Sequence, residues 1–391
     1  MVAYGGGHVK MVIPVVKKLL QFGYEVKVLG LTTSSRTLRE NGIQFFGMKD
    51  YLNLFPEKEY VSDLGRSLMA DLPKNPDIEE DETIAYLGLS YWDLEQTHGT
   101  EKAKELYDAQ GRYIFLPLLV MERILKHEKP DMVVATNSPR CEQASLMVSH
   151  RLGVPTICIV DLYNEVLFSE RFTNDRYIDH FFVPGLFEKA KLIEFGVSEA
   201  FVTASGNPSF EDHLNPLFLQ EGLVFRGTNF PNKRIVILFA KTPSYTKYAA
   251  HDERIFDGLC KLVAGDEKYG LIVRNHPNDP LLASSSDSIF YSDQKESIAS
   301  ILHATDIIVS QGSTVGFEGK FIGRQVFQCI DQELGEPPID QEKLGVGKRF
   351  NNVSDLILAI TTFTNYEGIA IVLRDKPSDL IVDYIMKRIE G

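Results

Sequence analysis

Apolar and polar positions in residues 1–43 alternate in the order expected of a strand, a glycine turn, an amphipathic helix and a second strand. The first strand is an apolar stub at residues 1–4, the helix covers residues 9–22, and the second strand covers residues 25–31. Gly23 is of the residue type that commonly ends helices. A strand–helix–strand unit of this kind predicts a parallel sheet with right-handed crossovers.

Residues 50–130 follow another pattern. They are polar and rich in Lys and Glu, and they include the acidic run at residues 79–82 and the only tryptophan, Trp92. A charge run is usually a solvated face. We interpret the segment as a helical insertion in the first domain. Such an insertion could form a lid on the acceptor side.

Strand and helix patterns then alternate in two further series. The first has strands at residues 131–136, 155–160, 180–183 and 200–203, and the second has strands at residues 234–239, 269–274, 306–310 and 325–329. Several Pro, Gly and Asn residues lie between the two series, which is typical of a linker. We therefore predict an α/β protein with an N-terminal domain at residues 1–205, a linker at 206–232 and a C-terminal domain at 233–376. A last helix at 377–391 is expected to pack back on the first domain.

Composition narrows the class of protein. The chain has 391 residues, 44% of them hydrophobic, which disfavours a disordered or fibrous protein. Its formal charge of -13 opposes binding to nucleic acid or anionic lipid. None of the four cysteines forms a CxxC pair, so neither a zinc site nor a disulfide framework is predicted, and a reducing cytoplasm fits best. No apolar run approaches the roughly 20 residues of a membrane span, and the start lacks the features of a signal peptide.

The loop Gly5-Gly6-Gly7-His8 lies between the first strand and its helix. Gly6 and Gly7 would allow a ligand to approach the backbone closely, and the start of a helix offers N–H groups to an anion. His8 is a candidate base or polar contact, and Lys10 could offset phosphate charge. The alternative is a tight turn that carries surface residues.

Two further candidate loops follow strands of the second series. Arg274 ends one strand and leads into Asn275-His276-Pro277-Asn278, where the proline would preorganise His276; loop structure alone is the alternative. The segment 310–318 runs from a strand end through a small-residue turn into a helix. Its Gly312, Ser313 and Thr314 suit a diphosphate, and Glu318 suits the hydroxyls of a ribose. The alternative there is a helix cap with a solvated glutamate.

Single polar residues end three other strands. Asn137 and Asp161 end strands of the first half and are expected at one cleft, whereas Lys241 ends a strand of the second half and could face phosphates. We interpret Gly206-Asn207-Pro208 as structural. No metal-binding, Walker A or GxSxG motif occurs, so neither a metal, a cofactor nor a serine triad is predicted.

With these residues in view, the chain resembles the two-domain GT-B superfamily, especially its branch of UDP-N-acetylglucosamine 2-epimerases, outside residues 50–130. The similar segments are residues 152–155, 179–184, 202–208, 276–278 and 312–323. The resemblance implies two Rossmann-like domains that face each other across a cleft, the second of which binds the nucleotide. It implies that Glu318 holds the ribose and that Ser313 and Thr314 hold the diphosphate.

Other segments resemble transferases. Residues 5–8 are similar to the glycine loop of the transferase that adds N-acetylglucosamine in peptidoglycan synthesis, and residues 313–323 are similar to a segment of capsule and teichoic-acid transferases. Lys10-Met11 is similar to a Lys-Met pair of the epimerases.

The chain also departs from the epimerases. They have Asp where this chain has Asn137, Glu where it has Asp161 and His near Lys241, and the stretch near Leu167 lacks their Pro-Glu-Glu motif. Since an amide does not ionise in the useful range, Asn137 is no general base.

We therefore favour a metal-independent GT-B glycosyltransferase, with His8, Asp161 and His276 as candidate catalytic residues. Its expected partners are a nucleotide-diphosphate sugar, with a UDP-sugar favoured, and a glycan or lipid-linked acceptor in bacterial or archaeal surface polysaccharide or glycoconjugate synthesis. Peripheral membrane association and a homodimer are compatible with this function. One alternative is a 2-epimerase, hydrolysing or not, in which Asp161 and His276 move the protons. The other is a catalytically degenerate nucleotide-sugar-binding protein.

Overall fold

The computed structural model describes residues 1–70, 72–73, 75–161, 177–276, 279, 285–293, 295–337, 339–363 and 375–390. The chain divides into two compact units. Unit 1 comprises Met1–Ser209 and Asp375–Gly391, and unit 2 comprises Phe210–Arg374.

Unit 1 is built on a six-stranded parallel sheet in the order β2-β1-β3-β4-β5-β6. Its strands are β1 (Val2–Ala3), β2 (Leu29–Gly30), β3 (Val133–Thr136), β4 (Thr156–Ile159), β5 (His180–Val183) and β6 (Val202–Ala204). Its helices are α1 (Gly7–Gln21), α2 (Ser34–Glu40), α3 (Lys58–Met69), α4 (Glu80–His98), α5 (Thr100–Gln110), α6 (Leu118–Glu128), α7 (Cys141–Arg151), α8 (Leu186–Glu194) and α14 (Pro377–Glu390). The strand expected at residues 25–31 is thus only two residues long.

The segment between β2 and β3 is helical, and α3 and α4 pack closely within it. Glycines make this approach possible, because a Cβ on Gly65 would lie 2.0 Å from the Ile84 carbonyl oxygen and one on Gly88 would lie 2.0 Å from that of Val61. The chain leaves unit 1 after Ser209 and returns as α14. This helix packs its buried Ile381 and other apolar residues on α1 and the sheet.

Unit 2 has a second six-stranded parallel sheet, in the order β12-β11-β10-β7-β8-β9. Its strands are β7 (Ile235–Ala240), β8 (Tyr269–Arg274), β9 (Ile289–Ser292), β10 (Ile307–Ser310), β11 (Gln325–Cys329) and β12 (Lys348–Phe350). Its helices are α9 (Pro216–Asn229), α10 (Ala249–Gly265), α11 (Ile298–Ala304), α12 (Val315–Phe321) and α13 (Val353–Thr361). Strands β9 and β12 had no clear sequence signal.

The segment 206–232, expected as a linker, contains α9. Pro216 occupies the first turn of this helix, and the Asn215 side chain accepts a hydrogen bond from the Leu217 N–H at 3.0 Å. The Asn and Pro that favoured a linker are therefore helix-start residues. Gly222 lets α9 approach α11, since a Cβ there would lie 2.5 Å from the Ser300 carbonyl oxygen.

Among the described residues, no helix combines the length and apolar character needed to cross a bilayer.

Candidate functional site

Polar residues of unit 1 gather at one edge of its sheet. All six strands are parallel, so the loops that follow them emerge at the same edge, where open α/β sheets bind ligands. Gly6 lies in the loop after β1, Gly7 and His8 begin α1, and the loops after β3 and β4 carry Asn137 and Asp161. Because β1, β3 and β4 are neighbours, the structure brings these predicted residues together.

The glycine loop leads directly into α1. Gly6 precedes the helix with φ 70, a conformation that favours glycine, and Gly6 and Gly7 are exposed. A Cβ on Gly7 would lie 3.6 Å from the Asp161 carboxylate, so this loop and Asp161 line the same small space. Lys10 is exposed in the first turn of α1.

His8 is connected to a buried carboxylate that the sequence reasoning missed. Its Nδ1 lies 2.9 Å from the Thr136 hydroxyl oxygen, and that hydroxyl donates to Glu142 Oε1 at 2.7 Å. The Tyr4 N–H donates to the same oxygen at 3.0 Å. Glu142 is fully buried in the first turn of α7, and burial raises its pKa. An acidic residue six positions after a strand end was the only available signal, and it is a weak one.

These contacts determine which nitrogen of His8 carries the proton. Glu142 Oε1 accepts from both Thr136 and Tyr4, so the single hydroxyl proton of Thr136 points to Glu142. Thr136 can then only accept from His8, which in the neutral ring places the proton on Nδ1 and leaves a lone pair on Nε2. Within the described part of the chain, Nε2 has no hydrogen-bond partner. In that tautomer Nε2 can accept a hydrogen bond from a ligand.

Asp161 is held by two buried amides. The Asn137 side-chain oxygen accepts the Asp161 N–H at 2.9 Å, and the Asn207 amide donates to the Asp161 carboxylate at 3.4 Å. Asn207 also accepts from the Ser209 N–H and hydroxyl, in agreement with a structural role for the Gly206-Asn207-Pro208 break. Asn137 thus positions the loop of Asp161. Residues 162–176, including the stretch near Leu167, lie outside the described residues.

In unit 2, Glu318 is joined to a histidine that the sequence did not single out. His213 Nε2 lies 2.8 Å from Glu318 Oε2, and the ring is buried, with its Nδ1 lacking a hydrogen-bond partner among the described residues. The His213 carbonyl in turn lies 2.7 Å from His303 Nε2. The Glu318 side chain is 18% exposed. One of its carboxylate oxygens is therefore held by His213, while the carboxylate still contacts solvent.

Arg274 lies near Glu318. It donates to the Ser292 hydroxyl at 2.9 Å and to the Glu296 carbonyl at 3.2 Å. Burial lowers the pKa of Arg274, and the charges of Glu296 and Glu318 oppose that shift. The structure therefore places a partly desolvated cation within electrostatic reach of the predicted ribose ligand.

The turn before α12 uses some of its own donors. The N–H groups of Gly312 and Ser313 both lie 3.3 Å from the Ser310 hydroxyl oxygen, and the Val315 N–H lies 3.3 Å from that of Ser313. These long bonds leave fewer N–H groups for a diphosphate than the sequence suggested. The exposed Thr314 hydroxyl stands at the start of the seven-residue α12.

Two other predicted residues of unit 2 lie in the loops after β7 and β8. Lys241 forms an ion pair with Glu253 at 2.7 Å, so its charge is already partly compensated. The His276 carbonyl accepts the Asp279 N–H at 2.8 Å. Hydrogen bonds from Ser244, together with the nearby charges of His276 and Lys241, lower the pKa of Asp279. Pro277, Asn278 and Pro280 of the His-Pro-Asn segment lie outside the described residues.

No group of three or more His, Cys, Asp and Glu side chains is arranged to hold a metal ion in the parts of the chain that the structure describes.

Comparison with known proteins identifies the fold. No protein-family model matches the sequence, and a search of curated proteins returned no match. Solved structures do match over nearly the whole length. The UDP-GlcNAc 2-epimerase from Methanocaldococcus jannaschii has a TM-score of 0.62 and 11% identity, covering 99% of this chain and 98% of that one. The enzyme from Neisseria meningitidis bound to UDP-GlcNAc has a TM-score of 0.60 and 14% identity, with 99% of each chain covered.

A glycosyltransferase is also among the similar structures. The spinosyn rhamnosyltransferase complexed with its aglycone has a TM-score of 0.53 and 12% identity, covering 98% of this chain and 99% of that one. The chain therefore has the GT-B fold, which epimerases and glycosyltransferases share. The prediction of two Rossmann-like α/β domains with a helical insertion in the first is confirmed.

Proposed function

We propose that this protein is a glycosyltransferase of the GT-B type that uses a nucleotide-diphosphate sugar, with a UDP-sugar favoured. The acceptor would be a hydroxyl of a glycan or lipid-linked molecule in surface polysaccharide or glycoconjugate synthesis. The observation that carries the proposal is the hydrogen-bonded chain from His8 through Thr136 to Glu142, which favours a proton on Nδ1 of His8. Transfer to a hydroxyl requires a base that takes the hydroxyl proton as the new bond forms, and His8 Nε2 is such a base.

The other residues have roles that fit this reaction. Glu318, held by His213, would accept the ribose hydroxyls, and Thr314 and Arg274 would contact the diphosphate. These groups would stabilise the negative charge that develops on the departing diphosphate without a metal ion. The GT-B fold supports the proposal, since a rhamnosyltransferase whose structure was solved in complex with an aglycone shares it.

A 2-epimerase is the second candidate. It is favoured by Asp161, a second ionisable group beside Gly7 at the edge that carries His8, because epimerisation at C2 moves protons to and from the sugar. The amide of Asn137 counts against it, since this residue stands where the epimerases have a carboxylate.

Incubation with UDP-N-acetylglucosamine in deuterated water separates the candidates. For a transferase we expect UDP binding, no deuterium at C2, and UDP release that depends on an added acceptor. The His8→Gln variant should bind UDP as the wild type does and lose transfer by about 10²-fold or more. Deuterium at C2 would establish epimerase chemistry instead. Absence of any nucleotide binding by calorimetry would overturn both enzyme functions.

A further inference from the structure

Arg140 lies in the turn between β3 and α7, at the edge of unit 1 that carries His8. Its guanidinium lies over the ring of Tyr4, 4.6 Å from the centroid, and 5.9 Å from the centroid of Tyr113. Tyr4 directly precedes the glycine loop, and its N–H bonds to Glu142. Arg140 is thus adjacent to the hydrogen-bonded chain that orients His8, and the sequence reasoning did not consider it.

The charge of Arg140 has no acidic partner in the described part of the chain. No carboxylate pairs with it among the residues whose positions are described, and its Nε is buried without a hydrogen-bond partner. Four other arginines of unit 1 form ion pairs, namely Arg36, Arg39, Arg66 and Arg123, and the described arginines of this unit that form none, Arg112, Arg151 and Arg388, are exposed to solvent. In a chain with 54 acidic and 41 basic residues, a half-buried guanidinium without an acceptor is unexpected, because desolvating an unpaired charge costs free energy.

The backbone of Arg140 is also in an unusual conformation. Its φ of 76 and ψ of -120 belong to a region that glycine enters freely and that side chains with a Cβ enter at a cost. Glycine would relieve this strain. The arginine side chain therefore does not serve the local backbone, which suggests that it serves a ligand.

We propose that Arg140, stacked on Tyr4, binds an anionic group of the acceptor, either a carboxylate or a phosphate. The planar guanidinium can donate two parallel hydrogen bonds to either group. The Tyr113 ring, 81% exposed, offers an apolar face beside it for a sugar ring. Binding there would hold an acceptor hydroxyl in the neighbourhood of His8, so the proposal rests on the proposed transferase function and specifies its acceptor.

Three small probes test the site in the full chain without nucleotide: glucuronic acid, glucose 1-phosphate and neutral glucose. By calorimetry, we expect at least one anionic probe to bind about tenfold or more tightly than glucose, with an affinity that falls as salt is added. Whichever anionic probe binds identifies the acceptor group as carboxylate or phosphate. Arg140→Gly should remove the preference for an anionic probe over glucose without lowering the melting temperature. Arg140→Lys should retain part of that preference. Arg151→Gln is the matched control, since Arg151 is exposed at the other end of α7.

The proposal is wrong if the wild type binds all three probes equally, or if Arg140→Gly binds the anionic probes as the wild type does. It is also wrong if Arg140→Gly melts well below the wild type, because the side chain would then serve packing on Tyr4. Calorimetry with UDP and the deuterium experiment report on the proposed function separately. The results of those two experiments therefore do not depend on whether Arg140 binds an anion.

Discussion

Replacing Thr136 by valine would break the link between His8 and Glu142 while nearly preserving side-chain shape. The Thr136 side chain is fully buried, and its hydroxyl takes part in two hydrogen bonds, of 2.9 Å with His8 and 2.7 Å with Glu142. In Thr136→Val the His8 ring loses the acceptor that fixes its Nδ1 proton. The buried carboxylate of Glu142 loses one donor.

The expected magnitude follows from these two bonds. At about 1 kcal/mol net for each, unit 1 should lose about 2 kcal/mol of stability. For a unit of this size, that corresponds to a fall of roughly 4–8 °C in melting temperature. A positioned general base contributes about 10²–10⁴-fold to the rate, so transfer should fall by a part of that factor while UDP binding is unchanged.

The tautomer itself can be measured by long-range proton–nitrogen NMR correlations of the histidine rings. The chain has nine histidines, and His8→Gln identifies the signals of His8. Thr203→Val is the matched control, because the Thr203 hydroxyl lies 2.9 Å from His180 Nε2 in the same unit. We expect the Nδ1–H form of His8 in the wild type and in Thr203→Val, and its loss in Thr136→Val. An Nε2–H form in the wild type, or identical His8 signals in all three proteins, would refute the reasoning.

Three further predictions concern other parts of the chain. Glu318→Ala should weaken UDP binding by about 1–3 kcal/mol, the cost of unmet polar partners, and unchanged affinity in calorimetry would exclude the ribose contact. Burial lowers the pKa of His180 from 6.5 to about 4, so the folded state should lose up to about 3 kcal/mol of stability as the pH falls from about 6.5 towards 4, with no loss from this group above that range. His180→Phe should melt with a smaller loss over that range, and parallel pH profiles would contradict this. Gly65→Ala would place a Cβ 2.0 Å from the Ile84 carbonyl oxygen and should cost about 1–3 kcal/mol in thermal unfolding, whereas Gly227→Ala, with no atom within 4 Å, should not destabilise.

The sequence by itself determined the two series of strands and helices and the loops that carry polar residues. Hydrophobic periodicity is a local property, and the carboxyl ends of parallel strands meet at one edge, so Gly7, His8 and Asp161 could be placed together from the chain alone. The short β2, the α9 helix in the expected linker and the strands β9 and β12 were not determined in this way. Their lengths and pairings depend on neighbours that are distant in sequence.

Only the tertiary structure decided how the polar groups are used. His8 and Thr136 are 128 positions apart in sequence, and His213 and Glu318 are 105 positions apart, so no local pattern connects these partners. In the sequence, Glu142 is an ordinary glutamate at a helix start. In the folded chain it is buried and accepts the hydrogen bond from Thr136 that orients His8. Packing likewise pairs Lys241 with Glu253 and leaves Arg140 without an acidic partner among the residues that the structure describes. A sequence records which groups can ionise, but the desolvation and the partners that set their roles arise only when the chain is folded.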